Sequence, residues 1–234
     1  MPYKTILLHV EGISERRGRL HLAAALANRF EAILIGRAAA QVHPPMGVPG
    51  GDAAYVTFEQ DDVQEEFVSA QMEFSQIAPL VKQGTQWRTG IALPTQALAR
   101  DARAADLLLA ERIPEGLGRG IYRSVDPAEL VLTAGRPVLV VSPGISDFVP
   151  ERVLIAWKDT REARRAISDA MPFLQRSEDV FVTTVREDNA EDPTNSVQDV
   201  AQYLGRHGVS THADCTPRRA NSVADEILAR AKRI

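Results

Sequence analysis

Short, unbroken apolar runs alternate along this chain with longer segments in which apolar residues recur every three or four positions. Strand patterns fall at 4–10, 32–37, 84–88, 106–110 and 137–142, with helical patterns between them. Runs such as TILLHV, ILIG, DLLLA and PVLVV have almost no polar face, so both sides of each strand must be covered, as in a parallel sheet flanked by helices. The alternation predicts a doubly wound α/β fold.

The helical patterns carry their own signals. The segment 14–29 opens at Ser14 beside Glu15, an acceptor and an acid near the positive helix end, and sets Leu20, Ala23, Ala24 and Ala27 on one small apolar face. The segment 61–82 opens at Asp61 and Asp62 and carries Val63, Phe67, Ala70, Phe74, Ile77 and Val81 at helical spacing, a core stripe. Pro94 is placed to start the next helix, because a proline in the first turn removes no needed hydrogen bond. Residues 38–60, rich in proline and glycine, predict a long irregular connection. Two readings stay open for it, a mobile excursion or a lid whose His43, Tyr55 and Phe58 line a pocket.

After Pro143, Gly144 and Pro150 the opening recurs. KTILLHVE at 4–11 is matched by RVLIAWK at 152–158, and the repeat predicts strand or helix at 153–157, 160–175, 179–185, 194–206, 208–213 and 221–233. ILARAKRI aligns with ALARDARA, so the second copy is expected to lack strand four, the loop after it and strand five. The predicted domains are 1–144 and 151–234.

Composition narrows the partners. With 44% hydrophobic and 25% charged residues, a net charge of −4 and no dense Lys/Arg run, the 234-residue chain reads as globular and gives no footprint for a nucleic-acid backbone. No apolar stretch approaches the roughly 20 residues of a membrane span. Cys215 is alone, without CxxC or Cys/His spacing, which fits a reducing compartment, and a cytoplasmic location is expected.

At 105–144 the chain reads ADLLLA, a loop closing in Ser124, then ELVLTAGRPVLVVSPG. This ending, with the repeated opening, resembles the universal stress protein family in its tandem two-domain form, here with a shortened second domain. The resemblance implies a Rossmann-like, five-stranded parallel sheet of the adenine nucleotide alpha hydrolase-like kind, and a homodimer or intrachain pseudo-dimer built partly by the last strand.

Nucleotide-binding members of that family carry G-x2-G-x9-G-[S/T] after strand four. Here the glycine positions fall on Ala110, Ile113 and Arg123, and only the closing hydroxyl, Ser124, is kept. Glycines let a backbone turn through positive φ and bring N–H groups up to phosphate, and the side chains of Ile113 and Arg123 crowd that approach. Gly116, Gly118 and Gly120 make the segment flexible without restoring the register, and two readings stay open for Arg119 and Arg123, solvated arginines of a surface loop or side-chain contacts to phosphate. The family's Asp after strand one is matched by Glu11, whose longer stem keeps the carboxylate chemistry. The second copy has Trp157 and Lys158 at that place and no carboxylate. The candidate nucleotide-binding set is therefore Glu11, Gly116, Gly118, Arg119, Gly120, Arg123 and Ser124.

Catalytic signals are thin. GxSxG, HExxH and GxxxxGK[ST] are all missing, and the histidines at 9, 21, 43, 207 and 212 are scattered. His9, on an apolar strand, reads as a satisfied core residue, and a ligand set around His207, His212 and Cys215 is the weaker alternative. No catalytic residue, metal or cofactor is expected. The sequence predicts a non-catalytic binding or signalling module of the stress response, with retained ATP or AMP binding, together with Mg, in the first domain as the alternative.

Overall fold

The structure, a computed structural model, describes residues 3–11, 17–42, 53–111, 120–142, 144–186 and 193–234. The chain divides into two compact units, the first ending at Phe148 and the second spanning Val149–Ile234.

The first unit is a five-stranded parallel sheet in the order β3-β2-β1-β4-β5, with strands Thr5–His9, Ile33–Ala40, Thr85–Ile91, Leu107–Glu111 and Val138–Val141 for β1 to β5. Helices α1 (Arg17–Phe30), α2 (Ala53–Ile77), α3 (Pro94–Asp101) and α4 (Pro127–Thr133) connect them. β1 lies in the middle, paired with β2 from Thr5↔Ile33 to His9↔Arg37 and with β4 from Ile6↔Leu107 to Leu8↔Leu109. Two-sided pairing under two helical layers explains why the run is apolar throughout, and Ile6, Leu7 and Leu8 are each 0% exposed. Each such side chain contributes about 1.5–3 kcal/mol of burial. Leu7, Ile35 and Leu108 pack with Leu98 of α3 and Leu130 of α4 in one cluster. The stripe expected on α2 is buried at Val63, Phe67, Ala70, Phe74 and Ile77.

Glycine in ILIG has a packing reason. A Cβ at Gly36 would stand 2.7 Å from the Phe74 ring and 2.8 Å from Trp87. Those two rings close over the strand with centroids 5.1 Å apart.

The second unit is a three-stranded parallel sheet, β6-β7-β8, made of Arg152–Ala156, Asp179–Arg186 and Thr211–Pro217. Its helices are α5 (Arg161–Leu174), α6 (Thr194–Arg206) and α7 (Val223–Ala231). Thr160 and Ser222 cap α5 and α7, their hydroxyls accepting from Ala163 N and Asp225 N. Trp157, Ile167, Leu174, Val180, Val182 and Leu204 form the centre of its core. Val153, Leu154 and Ile155 of β6, the repeat counterparts of Ile6, Leu7 and Leu8, are only half-buried, and among the described residues β6 pairs with β7 alone.

Two expectations are corrected. The connection read as irregular over 38–60 is strand as far as Ala40 and helix from Ala53 onward, so Asp61 and Asp62 lie inside α2 instead of opening it. The proline- and glycine-rich composition of its centre masked the helical spacing on its far side. The last strand runs at Thr211–Pro217, not at 208–213. Gly208, at φ +78°, belongs to the turn that ends α6, and the apolar Val209 packs into the core from there.

Candidate functional site

The carboxyl ends of β1, β2 and β4 gather most of the candidate residues of the first unit. This is where ligands bind in open α/β sheets, because the loops leaving the strands diverge there. The end of β1 is held by Val10 N donating to Arg37 O at 2.9 Å, which brings Glu11 to the rim. The end of β2 is tied to the turn before α4 by Gln41 N donating to Tyr122 O at 2.8 Å. That turn begins at Gly120, at φ +72°, whose carbonyl accepts from Arg123 N and Ser124 N at 3.2 and 3.0 Å. Asp126 then caps α4 through Ala128 N and Glu129 N.

Arg123 points inward. Its side chain is 3% exposed, with Nη2 3.1 Å from Glu59 Oε2, Nε 3.4 Å from Glu66 Oε1, and Nη1 donating to the carbonyl of Gln41. Both glutamates belong to α2, so one guanidinium joins the long helix, the end of β2 and the turn. Arg19 of α1 and Glu111 at the end of β4 form a second buried pair at 2.9 Å. His9 and Glu11 are a third close contact, Nδ1 to Oε1 at 3.5 Å, while His9 Nε2 lies 3.3 Å from Ala39 O. Ser124 is buried beside Arg123. A fourth cluster stands toward α3, where Arg37 Nε is 3.4 Å from Asp101 Oδ2 and Arg88 Nη1 is 3.8 Å from Asp101 Oδ1. Burial holds the Arg37 guanidinium below its ordinary value, and Asp101 offsets part of that shift.

The structure thus brings Glu11, Arg123 and Ser124 to one end of the sheet, with Gly120 starting the turn. Gly116, Gly118 and Arg119, like Ile113 and His43, lie outside the described residues. Four partners went unread in the sequence: Arg19, Glu59, Glu66 and Glu111. Arg19 and the α2 glutamates sit in amphipathic helices where a charge normally faces water. The only available signal was Glu111, a charge directly continuing an all-apolar strand.

Chemically, the guanidiniums here are engaged by carboxylates, and a phosphate oxygen reaching Arg123 would have to displace Glu59 and Glu66. Among the described residues no group of three or more His, Cys, Asp or Glu is disposed to hold a metal ion. His212, weighed as a ligand with His207 and Cys215, instead pairs with Asp179, Nε2 to Oδ1 at 2.9 Å.

The second unit repeats the backbone arrangement without the charges. Trp157 N donates to Thr183 O at 2.8 Å, as Val10 N does to Arg37 O. Trp157 therefore stands at the place of Val10, and Lys158 at that of Glu11.

Element order, a five-stranded parallel sheet in the order 3-2-1-4-5 and a rim at its carboxyl edge define a Rossmann-like α/β protein. More particularly, the fold is that of the universal stress proteins. A universal stress protein from Archaeoglobus fulgidus DSM 4304 superposes with a TM-score of 0.67 at 12% identity, over 98% of this chain and 83% of that one. The universal stress protein UspA from Lactobacillus plantarum aligns over 60% of this chain and 99% of its own, at 16% identity and a TM-score of 0.48. A universal stress protein from Archaeoglobus fulgidus in complex with dAMP aligns over 60% of this chain and 98% of its own, at 18% identity and a TM-score of 0.36. No family model and no curated protein matches the chain.

Proposed function

We propose that this chain is a universal stress protein that works as a non-catalytic binding and signalling module in the stress response, its first unit closed by its own side chains where nucleotide-binding relatives hold phosphate. One observation carries the reading: Arg123, at the last glycine position of the family's loop, is buried against Glu59 and Glu66. A polyphosphate reaching Arg123 would bring several negative charges beside the carboxylates of Glu59 and Glu66. Like charges so placed repel, and the exchange gains nothing for Arg123. The opposite reading, ATP or AMP held by the first unit with Mg, draws support from Gly120, whose positive φ and open surroundings suit a backbone cradle.

Equilibrium dialysis of the full chain against labelled ATP and AMP with magnesium, combined with an assay for released phosphate, separates the two. Retention of neither nucleotide and no phosphate release is the expected result. Stoichiometric retention would replace the closed-site reading with the nucleotide-binding one, and turnover would make the protein an enzyme.

Association is proposed through β5, the outer strand of the five-stranded sheet, where Val140 is 42% exposed. Val140→Lys should shift a dimer to monomer in sizing chromatography with light scattering, and an unchanged dimer would rule this surface out.

A further inference from the structure

A cleft in the second unit takes no part in the reading of the first. It encloses about 440 Å³ between α5 and α6, within the usual range for small-molecule sites of roughly 300–1,000 Å³. Helical spacing builds both walls: α6 presents Ser196, Asp199, Val200 and Tyr203 at i, i+3, i+4 and i+7, and α5 presents Arg164, Ile167 and Ser168. Trp157, at the end of β6, and Asp159 complete the described lining.

The apolar part is fixed in place. Trp157 and Ile167 are each 5% exposed and belong to the core of the unit. The indole Nε1 donates to Ser196 Oγ at 3.2 Å, and that hydroxyl donates onward to Pro193 O at 3.0 Å. An aromatic side chain locked by packing and a hydrogen-bond relay is a prepared surface, so little ordering remains when a ligand arrives.

The polar part is one-sided. Among the described lining residues Arg164 is the only cation, and it is spent on Asp159, to whose Oδ1 its Nε and Nη2 donate at 2.9 and 2.6 Å. The Asp199 carboxylate makes no hydrogen bond or ion pair with the described residues. What the cleft offers a ligand is therefore a carboxylate and a hydroxyl, with the Tyr203 and Trp157 rings nearby. Acceptors and aromatic faces without a free cation match an ammonium group, which has donors only and is attracted by aromatic rings.

We propose that this cleft is a binding site for a small organic ammonium ion, its aromatic or aliphatic body against Trp157, Ile167 and Val200 and its charged head paired with Asp199. An organic anion of the same shape would meet an unneutralised carboxylate and is disfavoured.

The test follows the indole N–H resonance of Trp157 in the ¹⁵N-labelled full chain, assigned by comparison with Trp87→Phe, during titration with phenethylamine and, separately, 3-phenylpropionate. The amine should shift the signal saturably at roughly millimolar concentration, and the carboxylate should bind about fivefold or more weakly. Asp199→Asn, on an exposed helix position where folding is not at risk, should erase that preference while leaving weak binding of the apolar body. A signal that neither probe moves, equal responses to both, or an unchanged preference in Asp199→Asn would each overturn the proposal.

Discussion

Arg123 joins three parts of the first unit, with Glu59 and Glu66 of α2 and the carbonyl of Gln41 after β2 all around the guanidinium of the turn before α4. As a position in a loop pattern it is a glycine replaced by a long cation, open to solvent or to a phosphate, whereas the side chain is buried. In the structure it is the cation that α2 requires, because without it Glu59 and Glu66 would face each other at a sheet end with little water. Arg37 and Asp101 pose the same problem inside the first unit. Their side chains are 7% and 9% exposed, and removing one partner leaves the other charge buried. Asp101→Asn should lower the stability of the first unit by about 3 kcal/mol, read from the denaturant midpoint. The double variant Arg37→Met/Asp101→Leu should lose less than the single one, because neither charge is then left alone. A single variant as stable as wild type would show the pair to be irrelevant.

Asp179 provides a surface counterpart. Hydrogen bonds from His212 first, and from Ser210, hold its carboxyl below its ordinary value, against a smaller opposing effect of desolvation. A carboxyl depressed in the folded state stabilises above its unfolded pKa, and the contribution disappears as pH falls through the lower folded value. His212→Ala should therefore move the Asp179 titration upward in a carbon-detected NMR series. An unmoved midpoint would remove His212 as the cause.

At the scale of elements, packing decides what periodicity left open. Apolar periodicity identified the strands and the buried face of α2. It could not place the start of that helix, since the residues before it carry the composition of a loop. Nor could it separate Val209, an apolar residue after a helix-ending turn, from the first residue of a strand. Gly36 was legible only as a weak spot in an apolar run, and its reason lies in Phe74 and Trp87, distant in sequence. Gly36→Ala should cost about 1–3 kcal/mol, because two aromatic rings must move to admit one methyl group. Thermal unfolding measures this, and a neutral result would mean that the rings yield freely. Among the described residues β1 is flanked by strands on both sides and β6 by β7 alone, so the amides of β6 should exchange with deuterium sooner than those of β1.

For the whole molecule, the doubled opening and the all-apolar strands made the architecture readable, because a parallel sheet under helices leaves few other ways to bury such runs. The sites were less readable. Glu11 and Ser124 follow from their places after strands, whereas the ion pairs closing the first unit depend on charges brought together from α1, α2 and β4. The α5–α6 cleft depends on two helical faces that each look like an ordinary solvent-facing surface in sequence. The two units, alike in the backbone after their first strands, have thus diverged in chemistry, one rim filled with paired charge and the other built around Trp157.

In the function proposed, paired carboxylates rather than phosphate occupy Arg123. Calorimetric titration of the intact 234-residue chain with Mg-ATP tests it most directly. No saturable heat up to roughly millimolar nucleotide is the predicted result. One-site binding at micromolar affinity, lost in Glu11→Gln or Ser124→Ala, would contradict it.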